Sequence, residues 1–160
     1  MNMNAALLCV GRLKEKYWLD ACGEYEKRLS RYGKFEVIQV DDLPEPKNAS
    51  DADRQKIMEK EGESLLKHIT PRDHVIALCI RSKELSSEQL AEKMDSLALS
   101  GKRVVFVIGG SLGLSPAVIS RADEKMSMSP MTFPHQLARV MLLEQTYRAC
   151  KILSGEKYHK

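Results

Sequence analysis

The sequence predicts an α/β domain, a mostly parallel sheet flanked by helices. Strand-like and helix-like segments alternate five times along 160 residues, the order expected of parallel strands joined by crossover helices. Arg103–Ile108 (RVVFVI) is apolar after its first residue and rich in β-branched side chains, as a central strand covered on both faces requires. No repeat or linker divides the chain, so residues 1–160 are expected to form one domain, a length sufficient for a proper core.

Ala5–Val10 is an apolar run stopped by Gly11 and reads as a buried strand. Trp18, Ala21, Cys22, Tyr25 and Leu29 recur at helical spacing, predicting a helix from about Tyr17 to Ser30 before Gly33. Phe35–Val40 is the second strand. Residues 41–50 carry two prolines and read as a loop. Asp51 fits as the cap of a charged, mostly exposed helix running to about Ile69. His74–Ile80 is the third strand. Ser86 and Gln89 form a capping-box pattern that opens a helix to about Ser100. After the 103–108 strand come a glycine-rich turn, 109–114, and a short helix with Ser115 as cap and Pro116 at its first position. Lys125–Met128 is the fifth strand and Ser129–Phe133 a loop. Pro134 opens a long helix to about Ser154, buried on more than one face.

Composition excludes several classes. The balance of 25 basic and 22 acidic residues gives +3, too little to grip naked nucleic acid by bulk charge. Acidic residues gather at 41–63, which places RNA elsewhere, and basic ones at the C-terminus (Arg139, Arg148, Lys151, Lys157, Lys160). Cys9, Cys22, Cys79 and Cys150 are scattered without metal-ligand spacing, so no metal is expected; Cys9 and Cys79 read as buried thiols. The N-terminal apolar run is too short for a signal-peptide core, and no stretch reaches bilayer length. A cytoplasmic protein is expected.

Ligands of open parallel sheets bind beyond the carboxyl ends of the strands, here after Ile80, Ile108 and Met128. The turn Gly109-Gly110-Ser111-Leu112-Gly113-Leu114 is neither a dinucleotide fingerprint nor a phosphate loop. It does match G-x-S-x-G, with Asp123 and His135 following in the order of a serine hydrolase. Against that reading, the next helix begins only at Ser115-Pro116. In the run 126–136 two prolines stiffen an apolar loop whose backbone groups could read a flat base beside Met131 and Phe133. His135, at a helix N-terminus, is expected to have a lowered pKa and to be able to accept a proton. Arg139, Arg148 and Lys151 could seat phosphates, and Tyr158 or His159 could stack on a base.

Taken together, Val107–Leu114, Met131–Val140, Leu143–Ala149 and the ending Tyr158-His159-Lys160, with Val10–Lys14 and Tyr25–Leu29, resemble the small SPOUT-class methyltransferases of large-subunit ribosomal RNA over essentially the whole chain. The resemblance implies S-adenosylmethionine as cofactor and N3 of a pseudouridine in 23S rRNA as acceptor, on the assembled ribosome. It also implies a C-terminal trefoil knot and a homodimer in which one subunit's tail completes the other's site. Cofactor contacts would be Leu78, Gly109, Met128, Ser129, Pro130, Met131, Thr132 and Phe133. His135, Arg139, Arg148, Tyr158 and His159 are expected around the base, with His135 or His159 handling the N3 proton and the arginines countering charge. Two positions depart from the family pattern, Ser82 where a glycine is expected and Leu112 where a polar or turn residue is. A serine hydrolase using Ser111 and a non-catalytic ribosome-binding module are the alternatives.

Overall fold

The structure, a computed structural model, describes residues 2–160. Its strands are β1 (Met3–Val10), β2 (Gly33–Val40), β3 (His74–Leu78), β4 (Val104–Ile108) and β5 (Glu124–Met126), and its helices α1 (Lys16–Leu29), α2 (Asp51–Leu66), α3 (Ser87–Leu99), α4 (Pro116–Arg121) and α5 (His135–Leu153). The strands form one sheet in the order β2-β1-β4-β3-β5, parallel at every pairing. The apolar run after Arg103 is β4, the central strand, buried at all five positions.

Both faces of the sheet are covered. On one, Leu7, Cys9, Ile76, Phe106 and Ile108 pack under α1, α3 and α5 through Cys22, Met94, Leu142 and Tyr147. On the other, Leu8, Val10, Val105 and Val107 pack under Leu65 and Val118 of α2 and α4. Alternate residues of β1 and β4 therefore serve opposite cores, which is why these strands read as unbroken apolar runs.

Local chemistry sets the helix boundaries. Ser50, not Asp51, caps α2: its hydroxyl accepts from Asp53 N–H (3.1 Å) while the Asp53 carboxylate accepts from Ser50 N–H (3.0 Å). The cap sits one residue earlier because only from there does a short side chain reach the third helical N–H. This helix ends at Leu66; the amides of His68 and Ile69 bond three residues back and the chain tightens before Pro71. Ser86 and Gln89 form the expected capping box, and Ser115 caps α4 ahead of Pro116. The third strand stops at Leu78, and the fifth is Glu124–Met126 rather than 125–128. Ser127 leaves the ladder with β3 and donates instead to the Lys83 carbonyl (2.9 Å). That early exit frees Met128 and the residues after it to wall a cavity.

Candidate active site

The carboxyl ends of β3, β4 and β5 open onto a cavity of about 320 Å³, in the range of small-molecule sites. Leu78, Cys79 and Ile80 form one side and Ile108, Gly109 and Gly110 another, with Met128, Ser129, Met131 and Phe133 closing over them. Six of the eight expected cofactor residues are there. Pro130 and Thr132 line an adjoining outer groove with Ile80 and Ser82 instead. Cys79 is half-buried and borders the cavity rather than lying in the core.

Two loops shape this space. At Gly109 a Cβ would lie 2.8 Å from the carbonyl carbon of Gly113, so only glycine lets the turn fold back onto the strand end. Gly113 takes φ +85° and its N–H donates to the Gly110 carbonyl at 3.0 Å. The 127–133 loop is braced by its serines. Ser127 Oγ donates to Ser129 O (2.9 Å), and Ser129 Oγ accepts from Met131 N–H (3.0 Å). Ser82 fits its turn without strain, since no described non-glycine residue has positive φ, and its hydroxyl donates to the Cys79 carbonyl at 2.8 Å. Leu112 likewise needs no left-handed backbone.

A second cavity, of about 310 Å³, lies beyond β1 and β2 and meets the first at Gly110 and His135. Its walls are polar, including Arg12, Asp42, Glu61, Ser111 and Gln136. His135 opens α5 and is half-buried between the two. Burial and then the charge of Arg139 hold its pKa below the ordinary histidine value, with Asp42 opposing. The imidazole is therefore neutral near pH 7 and able to accept a proton.

Arg139, one turn further along and expected around the base, turns into the protein. It is 2% exposed. It donates to the carbonyls of Val10 (2.8 Å) and Gly11 (2.7 Å) and to Gln39 Oε1 (3.0 Å). This arginine ties the start of α5 to the ends of β1 and β2, and so sets where His135 stands.

The remaining expected residues gather at the other end of α5. Arg148 is paired with Glu144, also through Nε at 2.9 Å. Its guanidinium stacks 4.7 Å from the centre of the Tyr158 ring. The Tyr158 hydroxyl donates to the same Glu144 oxygen at 3.2 Å. Burial and the Glu144 charge push that phenol up to about 12. His159 Nδ1 lies 3.3 Å from Arg148 Nη1 and its Nε2 2.6 Å from Glu88. Because guanidinium only donates, Nδ1 accepts and Nε2 carries the proton toward Glu88. Thirteen residues of helix separate His135 from Arg148, about 20 Å at 1.5 Å per residue. One chain thus presents two clusters, not one site.

The hydrolase arrangement is not assembled. Asp123 sits at the amino-terminal end of the strands, away from Ser111 beyond their carboxyl ends, accepting from Val75 N–H at 2.8 Å and from Arg121. Ser111 lies in an exposed turn five residues ahead of α4, not on a strand-to-helix elbow.

Sequence reasoning missed Glu61. It is 5% exposed, and it reaches the second cavity from the acidic segment where RNA was not expected. Its only signal was a carboxylate four residues from the apolar Leu65 on a charged helix.

The chain is similar to known proteins along its whole length. The model of the family described as "Predicted SPOUT methyltransferase" matches residues 3–159. Ribosomal RNA large subunit methyltransferase H of Bacillus pumilus is 53% identical over 159 residues, 99% of this chain and 100% of that protein. Its namesake in Clostridium novyi is 54% identical over the same shares. Among solved structures, a methylase-family protein of Neisseria gonorrhoeae superposes with TM-score 0.56 at 12% identity, over 91% of this chain and 82% of that one. A Legionella pneumophila methyltransferase solved with S-adenosylmethionine gives TM-score 0.50 at 10% identity, over 94% and 66%. These two structures bear on fold alone.

Proposed function

The chain belongs to the SPOUT methyltransferase family, and from that premise we propose that it methylates large-subunit ribosomal RNA with S-adenosylmethionine, at N3 of a pseudouridine in the assembled ribosome. The observation that carries this reading is the meeting of two cavities at His135, one apolar and walled by the 127–133 loop, the other polar.

The apolar cavity fits the cofactor. Its size suits a nucleoside with a short side chain, and its backbone edges at 78–80, 109–110 and 127–129 suit the polar edge of an adenine. Bound there, S-adenosylmethionine would supply a methyl group on a sulfonium that already leaves readily. The chain's own task is orientation and proton handling. Leu78, Gly109, Met128, Ser129, Met131 and Phe133 would hold the cofactor, with Pro130 and Thr132 stiffening the loop from outside. A neutral N3–H imide is a poor nucleophile, so a base must take its proton as the bond forms. His135, neutral and standing between the cavities, would be that base. Arg139 keeps α5 and His135 in register.

Arg148, Tyr158 and His159 would act in trans. They are held together by Glu144 and Glu88 but lie about 20 Å from their own His135, so a second copy of the chain would bring them to the base, where Arg148 counters developing charge or seats a phosphate. A homodimer with this exchange, and a threaded C-terminal segment forming the family's knot, belong to the same proposal.

Calorimetric titration with S-adenosylmethionine tests the core of it. Saturable binding, with methyl incorporation into ribosomes carrying the pseudouridine, is the expected result. No binding at millimolar cofactor would overturn the reading. Ribosome binding without cofactor affinity would instead favour a non-catalytic module.

A further inference from the structure

Glu61 is the one strongly buried carboxylate on the wall of the polar cavity. Its Oε2 accepts from the Leu43 backbone N–H at 3.0 Å. Its Oε1 has no hydrogen-bond partner among the described residues and is not sealed from solvent; it opens to the cavity. It lies 3.6 Å from where a Cβ on Gly110 would stand, on the glycine turn that divides the two cavities. A carboxylate taken out of water is costly unless its free oxygen finds a donor. The neighbouring carboxylate of Asp42 adds to the pull on a donor, and burial raises the Glu61 pKa.

Pseudouridine is the isomer of uridine in which the sugar is joined to a ring carbon instead of a ring nitrogen. It carries an N1–H donor where uridine has C5–H, while N3 stays in place. We propose that Glu61 Oε1 accepts the N1–H of the target base and so selects pseudouridine over uridine. The inference rests on the methyltransferase reading above and deepens it by naming a specificity-determining residue. A site built around an acceptor rejects an analogue lacking the donor because its own polar group is then left unpaired.

The test compares methylation of ribosomes bearing pseudouridine at the accepting position with ribosomes bearing uridine there, using labelled S-adenosylmethionine. Wild-type protein should prefer pseudouridine. In Glu61→Gln the amide oxygen must still accept from Leu43 N–H, which turns the NH2 group, a donor, toward the base. The preference should then fall roughly 10- to 150-fold, the worth of a hydrogen bond to a charged group, with cofactor affinity unchanged. Should the Gln variant not fold, Glu61→Asp keeps an acceptor for Leu43 but draws it back, and is expected to lose preference in the same direction. Equal rates on both ribosomes by wild-type protein, or an unchanged preference in a folded variant, would overturn the inference. Methylation of neither by wild-type protein would overturn the underlying methyltransferase reading as well.

Discussion

The two ends of α5 do different work with similar residues. At the N-terminal end, Arg139 is sealed among carbonyls of β1 and leaves His135 at the seam of two cavities. At the C-terminal end, Arg148 lies half-buried against Glu144 and under the Tyr158 ring, with His159 beside it. Each end pairs an arginine with a histidine. In the first the arginine faces backbone and fixes a position; in the second it faces side chains that a binding partner can displace. Arginine's role here follows from what its fork meets: the buried Arg139 uses its two terminal nitrogens on Gln39 and two backbone carbonyls, with its Nε unpartnered, whereas the donors of Arg148 face side chains and can be exchanged.

The largest expected effect breaks the first end. His135→Ala should leave calorimetric binding of S-adenosylmethionine nearly intact while methylation falls by about 10²–10⁴, the usual worth of a general base. Unchanged turnover would remove His135 from proton handling. Deleting Tyr158–Lys160 breaks the second end and should also abolish most methylation with cofactor binding retained; full activity would make the tail dispensable.

A smaller effect sharpens the contrast between the arginines. Arg139→Met strips donors from two buried carbonyls and should lower stability by about 1–3 kcal/mol, read by urea unfolding. It also removes a charge that lowers the His135 pKa, so the acid limb of the pH–rate profile should move to higher pH. Arg148→Met, which strips no donor from a backbone carbonyl, should cost less stability in the same urea measurement.

Smallest is the pH dependence of the wild-type protein. With the folded pKa of His135 depressed, the unfolded chain takes up this proton first. The contribution to stability is present above the ordinary value of about 6.5 and is lost as pH falls through the folded value. Methylation should accordingly hold from pH 7 to below 6.5 before it declines. A decline beginning well above 6.5 would contradict the burial assigned to His135.

Much of this contrast was legible in the sequence. The alternation of periods fixes five strands and five helices, and the Ser-x-x-Gln and Ser-Pro signals place two helix starts correctly. The strand ends and the 128–133 loop mark the apolar cavity. Even the separation of the clusters is implied, since His135 and Arg148 lie thirteen residues apart on one helix. Partners distant in sequence were not legible. Arg139 meets Val10 across 129 positions and Glu61 meets Leu43 across 18, and neither spacing leaves a periodic trace. Residue type alone made Arg139 a candidate for phosphate and left Glu61 in an acidic stretch assigned to solvent. Burial decides both roles, and burial is a property of the packed sheet.

The central claim is that the two ends of α5 meet only across two chains. It is tested by co-expressing His135→Ala protein with protein lacking Tyr158–Lys160, each carrying a different tag, and purifying through both. A two-fold dimer of this composition has one complete site, a sound His135 facing an intact tail from its partner, so about half of wild-type methylation should return. A doubly tagged dimer as inactive as either parent would contradict the account.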